Sequence, residues 1–191
     1  MKAVGLFVAG ALCGAAVMAI PKLVAHFHKE THATLAGRNA ASGSRLHTEE
    51  QFEFTANGPM EQVAPLFGAD KERVWAAGWD PQFVFPNPGT DKEGMVFTID
   101  HHHRRALWVN TELDLKNGRV QYVYVVPDTM ATRIALRLTP AGDKTHVAVT
   151  YERTALSSDA DEHVRQMADG DRGSGPDWEK AVNSYLEKTR R

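Results

Sequence analysis

The chain of 191 residues contains only one cysteine, and its formal net charge is only -2. Its single cysteine, Cys13, has no partner for an intramolecular disulfide, so cysteine usage gives no information about the redox compartment. The 22 Lys and Arg residues nearly balance the 24 Asp and Glu residues, and the two signs are interspersed along the chain. Because binding to nucleic-acid phosphates needs a concentrated basic surface, we expect no nucleic-acid partner.

Familiar catalytic motifs are also missing. The sequence has no Gly-rich phosphate loop, no Gly-x-Ser-x-Gly elbow and no paired-cysteine motif. We therefore assign no catalytic residue and no cofactor, although an enzyme need not carry one of these motifs. Whether the protein is an enzyme stays open, with the balance toward a non-enzymatic role.

The most conspicuous polar cluster is the run His101-His102-His103, followed by two arginines. Two histidines at i and i+2 on an extended segment point to the same side and, with Asp100, have the donor types that bind zinc or copper. However, the run falls between two strand patterns, and no second His or Cys pair at ligand spacing occurs elsewhere in the sequence. We therefore predict an exposed turn and no metal site.

The N-terminal segment is apolar. Residues 3–20 contain no charge, and roughly 20 residues of helix cross a hydrocarbon layer of about 30 Å. A signal peptide shares the basic start and the apolar run, with small residues near Ala19 at plausible cleavage positions. We predict that residues 1–25 are a transmembrane anchor or a signal segment and that residues 26–50 are a linker. The protein is then anchored in a membrane by one helix, or exported to the periplasm after cleavage.

Residues 51–191 have the pattern of one α+β domain. Alternating polar and aromatic residues at 51–55 predict the first strand, and two short helices follow at residues 59–67 and 71–77, the second with Asp70 as its N-cap. Turn residues then separate six more strand patterns, at residues 83–85, 95–100, 105–114, 119–126, 132–139 and 145–156. In the strand at 105–114 the set Leu107, Val109, Thr111 and Leu113 is the more apolar, so we expect it to face inward.

The chain ends in an amphipathic helix from Asp177, whose Trp178, Val182, Tyr185 and Leu186 share one face. An apolar helix face and an apolar sheet face bury each other in a two-layer domain. The predicted fold is therefore a seven-stranded antiparallel sheet curled around a long C-terminal helix, with an N-terminal apolar helix. Ile134, Leu136 and Leu138 offer a facing surface at period two.

Four short segments resemble one bacterial branch of the START-like superfamily, also called SRPBCC. Residues 72–81 resemble its helix-to-strand passage, residues 106–109 and 120–122 its central strands, and residues 144–151 followed by 154–156 its last strand. The order of one strand, two helices, six strands and a C-terminal helix is similar to the helix-grip fold of that superfamily. The resemblance covers about residues 51–186.

The resemblance implies an apolar cavity between the sheet and the C-terminal helix, used in the superfamily for lipids, sterols, polyketides and other hydrophobic ligands. It does not imply one reaction, because fold alone does not fix function. Aromatic and apolar side chains on the predicted strands and last helix are candidates to line the cavity, since rings of this kind commonly line ligand pockets. They are Tyr122, Tyr124, Ile134, Leu136, Leu138, Tyr151, Trp178, Val182 and Tyr185.

Three hypotheses for function follow. The first is a binding module, or a transporter, for a hydrophobic small molecule or lipid, presented near a bilayer by the N-terminal segment. The second is a polyketide-cyclase-like enzyme that uses an acid or a histidine in the same cavity. The third is a structural or interaction protein whose cavity is filled by side chains. Ligand identity, membrane topology and oligomeric state are not determined by the sequence.

Overall fold

A computed structural model describes residues 44–101 and 104–190 of the chain. The predicted N-terminal segment therefore lies outside the described residues, and so do His102 and His103. Among the residues that are described, no group of three or more His, Cys, Asp and Glu side chains is placed to hold a metal ion. Within the same ranges, no helix is both long enough and apolar enough to cross a membrane.

Seven strands form one antiparallel sheet, which confirms the predicted fold class. Its spatial order is β1-β7-β6-β5-β4-β3-β2. The first strand begins at His47 rather than at residue 51. The strands are β1 (His47–Ala56), β2 (Gln82–Phe85), β3 (Val96–His101), β4 (Arg104–Asp114), β5 (Arg119–Val126), β6 (Met130–Ala141) and β7 (Lys144–Ala155).

Short helical segments connect β1 to β2, and two longer helices follow β7. The first connection contains helix α1 (Met60–Val63) and the 3₁₀ helices Ala64–Phe67 and Lys71–Val74. After β7 come a 3₁₀ turn, helix α2 (Asp161–Arg172) and helix α3 (Gly175–Thr189). Pro176 at the start of α3 suits the first turn of a helix, where its missing N–H is not needed.

One face of the sheet is buried, and its side chains recur at period two as in a half-buried strand. On β6 the buried positions Ile134, Leu136 and Leu138 follow this period, and on β7 they continue through Tyr151 to Arg153. We call this the inner face of the sheet. Helices α2 and α3 follow the edge strand β1 and close the same core.

Hydrogen bonds place the two helices along the full length of β1. The Leu46 N–H donates to Asp161 at the start of α2 (3.3 Å), and the Arg172 guanidinium at its end donates to Glu50. In α3 the Asn183 side chain accepts from the Asn57 N–H (2.7 Å) and donates to a β1 carbonyl. The C-terminal helices therefore cover the otherwise unpaired edge of the sheet.

The predicted phase of β4 is wrong. Trp108 and Asn110 are fully buried on the inner face, whereas Leu107 is 47% exposed. Trp108 faces inward because its ring packs between aromatic neighbours on β3 and β5, which buries more apolar area than a leucine at the same strand would. A register shift after Asn110 then turns Glu112 toward an ion pair with Arg119 (2.6 Å).

Candidate functional site

A row of four side chains crosses the inner face of the sheet. Trp108 on β4 lies opposite Tyr124 on β5, Tyr124 opposite Thr132 on β6, and Thr132 opposite Arg153 on β7. Directly opposite residues of antiparallel strands point to the same face, so the register alone brings these groups together. The rings of Trp108 and Tyr124 stack with their centroids 4.1 Å apart.

Arg153 is a buried cation with a complete set of partners. Its Nε and Nη2 donate to the two carboxylate oxygens of Asp171 in α2, at 2.6 and 2.8 Å. Its Nη1 donates to the Tyr124 hydroxyl and to the Thr132 hydroxyl. Burial alone lowers the pKa of Arg153, but the interaction with Tyr124 and the hydrogen bonds and charge of Asp171 outweigh it and hold the pKa above its ordinary value. This pair fastens α2 to the sheet.

Aromatic rings surround Trp178, the first large side chain of α3. Its ring lies edge-on to Phe52 at 5.2 Å and stacks with Phe67 at 6.4 Å. Trp75, from the connection between β1 and β2, approaches it to 5.4 Å, and Trp75 Nε1 donates to the Leu66 carbonyl (2.6 Å). The predicted apolar face of the last helix is therefore confirmed, and it meets β1 and the helical connection.

A second aromatic group lies nearer to β3. Trp79 meets Trp108 edge-on at 5.3 Å and Phe97 at 5.9 Å, while its Nε1 donates to the Ala69 carbonyl (2.6 Å). Phe97 in turn stacks with Trp108 at 5.7 Å. Offset and edge-on rings at these separations attract each other beyond their area burial. Trp75 and Trp79 are therefore both buried and packed against the aromatic rings of the interior.

Glu72 lies fully buried in the connection between β1 and β2. It belongs to the 3₁₀ helix Lys71–Val74, and neither of its carboxylate oxygens has a hydrogen-bond partner among the described residues. Burial raises the pKa of Glu72 well above its ordinary value, and the nearby charge of Asp91 raises it further. An acid in this environment is uncharged over a wider pH range than an exposed glutamate.

Two fully buried side chains of β4 share this condition. The side-chain nitrogen and oxygen of Asn110, and Nε1 of Trp108, also find no partner within the described part of the chain. We call Glu72, Asn110 and Trp108 the open polar cluster. None of the three was predicted from the sequence as a site residue.

Tyr122 is the common neighbour of the open polar cluster. Burial and then the charge of Glu72 raise the pKa of Tyr122. The Asn110 amide lies close to the Tyr122 hydroxyl and lowers this pKa in part, but the two groups do not have the geometry of a hydrogen bond. The rings of Tyr122 and Trp108 are 6.2 Å apart, and the Tyr122 hydroxyl donates to the Phe67 carbonyl (2.8 Å). The three members of the cluster are therefore grouped around one tyrosine on the inner face.

Asp91 fixes the helix that carries Glu72. Its carboxylate accepts the backbone N–H groups of Asp70 (2.8 Å) and Lys71 (3.3 Å) at the start of that helix. We expected Asp70 to cap this helix with its own side chain, but it makes no such bond, and the capping group comes from the loop before β3. Gly68 admits this loop, because a Cβ there would lie 2.3 Å from the Asp91 carboxylate.

The predicted cavity-lining residues all belong to the core or pack against it. Eight are buried and Tyr185 is partly buried. These eight are Tyr122, Tyr124, Ile134, Leu136, Leu138, Tyr151, Trp178 and Val182. Their role in ligand binding stays a prediction.

A separate shallow groove lies at the end of α3, away from the aromatic interior. Its walls are polar and mostly charged, which does not suit a hydrophobic ligand. They are formed by Asn57, Asp143, Lys144, Glu187 and Arg190.

Comparison with known proteins identifies the fold. No family model and no curated protein matches the chain. Among solved structures, norcoclaurine synthase of Thalictrum flavum matches with a TM-score of 0.59 at 10% identity, over 78% of this chain and 99% of that chain. Ara h 8.0201 matches with 0.53 at 13% identity, over 74% and 99%. The Mll3558 protein of Rhizobium loti matches with 0.52 at 21% identity, over 75% and 100%.

The first two of these structures are Bet v 1-like proteins of the START/SRPBCC superfamily. At such low identity the likeness concerns the fold. The chain therefore has the helix-grip fold of that superfamily, as the sequence resemblance predicted.

Proposed function

We propose that this helix-grip domain binds a hydrophobic small molecule or lipid between the inner face of the sheet and its helical cover. The observation that supports this most is the open polar cluster. Folded proteins pair nearly all of their buried polar groups, and each one left without a partner costs about 1–3 kcal/mol. Several such atoms around one tyrosine indicate a place where a bound molecule supplies the missing partners.

The walls of this place favour an apolar ligand. Trp79, Phe97 and Tyr122 are all buried, and their rings contact Trp108 of the open polar cluster. Pockets for hydrophobic ligands typically combine such rings with a few polar groups that fix orientation. The polar groups here are few and buried, which fits that pattern.

The membrane role belongs to the same proposal. If residues 1–25 anchor the chain or direct its export, the binding domain acts at or beyond a bilayer, where a hydrophobic ligand partitions. Cell fractionation tests this part: an uncleaved chain in the soluble cytoplasmic fraction would contradict both the anchor and the signal peptide.

A second candidate function is a polyketide-cyclase-like enzyme that uses the same interior. It is favoured by Glu72, since a buried carboxyl whose pKa is raised is suited to general acid or base catalysis. Conversion of a bound ligand by the wild-type chain, abolished in Glu72→Gln, would support the enzyme over the carrier.

The binding function is tested by titrating the full-length chain with N-phenyl-1-naphthylamine, an uncharged probe that fluoresces in apolar surroundings. All four tryptophans of the sequence are buried around this interior, so a probe bound there quenches their emission by energy transfer. We expect saturable binding of one probe per chain, with less quenching but the same stoichiometry in Trp108→Phe. Binding that does not saturate, or that leaves tryptophan emission unchanged, would contradict the proposal.

A further inference from the structure

We propose that the ligand is an uncharged molecule that presents a hydrogen-bond-accepting oxygen, of the ketone or other carbonyl type, to Glu72, Asn110 and Trp108. This inference rests on the proposed binding function and narrows its ligand class.

The Trp108 indole can only donate a hydrogen bond. It has one N–H and the Asn110 amide has two, and these N–H groups have no acceptor among the described residues. The side-chain oxygens of Asn110 and Glu72 do not accept from them in the folded chain. A ligand that satisfies these N–H groups therefore brings an acceptor oxygen.

The neighbouring donors are already used. The Tyr122 hydroxyl donates to the Phe67 carbonyl, and the indoles of Trp75 and Trp79 donate to backbone carbonyls. The Trp108 indole differs from those two because it has no acceptor among the described residues. The donors that remain for a ligand are therefore those of the open polar cluster.

The charges nearby exclude the two obvious charged ligand classes. The charge that acts on Glu72 comes from Asp91, which lies at the start of the same helix and is itself acidic. A carboxylate ligand would meet this acidic pair at close range, and the buried cation of the inner face, Arg153, is already paired with Asp171. An amine cation would need an ionised Glu72 as its counterion, and burial disfavours the ionised form of this carboxyl. An uncharged ligand avoids both costs.

The test compares four probes that share one ring system: naphthalene, 2-acetylnaphthalene, 2-naphthoate and 2-(aminomethyl)naphthalene. Each is titrated against the full-length chain near neutral pH, with quenching of tryptophan emission as the signal. We expect the ketone to bind about tenfold more tightly than naphthalene, which corresponds to ~1.4 kcal/mol, and the two charged probes to bind more weakly than the ketone.

Variants locate the preference. Asn110→Leu and Glu72→Leu should remove most of the tenfold advantage of the ketone, while Glu72→Gln, which keeps a donor and an acceptor, should retain it. Thr111→Val is the matched control, because Thr111 is the next residue of β4 and is exposed on the opposite face. It should leave all four affinities unchanged.

The outcomes separate this inference from the function on which it rests. Equal affinities for naphthalene and the ketone, or tightest binding of the acid or the amine, would overturn the ligand class but leave hydrophobic binding standing. Failure of all four probes to bind would overturn both. If Glu72→Leu does not fold, the wild-type probe series and Asn110→Leu still decide the question.

Discussion

The buried pair of Arg153 and Asp171 gives the sharpest prediction about stability. Arg153 is 1% exposed and Asp171 is 4% exposed, and two hydrogen bonds of 2.6 and 2.8 Å join them. Replacing Asp171 by Ala removes the only carboxylate that bonds to this guanidinium among the described residues. Breaking a buried pair from one side leaves a buried charge without its counterion, which costs about 3–5 kcal/mol.

That loss is a large share of a domain stability of about 5–15 kcal/mol. Urea denaturation followed by circular dichroism measures it for the wild-type chain and the Asp171→Ala variant. The control is Glu152→Ala, because Glu152 also receives two hydrogen bonds from an arginine, Arg133, but on the outer face of the neighbouring strands. An exposed pair of this kind contributes at most about 1 kcal/mol.

A double variant completes the test. Replacing Arg153 by Met together with Asp171 by Leu removes both charges at once, and it should recover most of the lost stability because no buried charge remains. Asp171→Ala and Glu152→Ala with equal, small effects would refute the reasoning, as would a double variant less stable than Asp171→Ala. Either result would mean that the pair does not fasten α2 to the sheet.

Three other predictions follow from single positions. Folding raises the pKa of Glu72, so the free energy of unfolding of the wild-type chain should fall as the pH rises from the ordinary glutamate range toward the raised pKa. The Glu72→Gln variant should lose this pH dependence. Urea melts that give parallel pH profiles for the two proteins would contradict the prediction. Trp178→Ala should destabilise the fold by about 3–5 kcal/mol, because the ring packs against three other rings. A chain that ends before α3 should not unfold cooperatively. If that shortened chain unfolded at an unchanged midpoint, α3 would not belong to the core. Gly118→Ala should lower the thermal stability far more than Gly142→Ala. Both glycines have a positive φ, but only at Gly118 would a Cβ lie 2.2 Å from the Leu138 carbonyl oxygen. Equal losses of stability in the two variants would contradict this.

The fold was predictable because its elements have strong local patterns. The apolar residues of β6 and β7 recur at period two, and Trp178 and Val182 lie one helical turn apart on the last helix. In each case only one secondary structure buries all of these side chains on one face. The phase of β4 was not predictable in this way. Both of its faces have apolar residues, and the choice depends on the rings of β3 and β5 beside Trp108, which are contacts between strands.

The open polar cluster was missed for a related reason. Glu72 is spaced so that it would share one helix face with Trp75, Ala76 and Trp79. An acid on an otherwise apolar face was a sequence signal for a buried carboxyl, and it was overlooked. Arg153 likewise continues the buried period of β7. No local sequence pattern indicated the role of Asp91. This residue lies in the loop before β3 and caps the helix Lys71–Val74, which is distant from it in the sequence.

The central claim is that the interior around Glu72, Asn110 and Trp108 holds a hydrophobic ligand. Its most direct test is mass spectrometry of an organic extract of the purified full-length chain, compared with the same extract of Asn110→Leu and of the control Thr111→Val. The account predicts a hydrophobic compound near one equivalent per chain in the wild type and in Thr111→Val, and much less in Asn110→Leu. Identical extracts from all three proteins, with no compound approaching one equivalent, would contradict it.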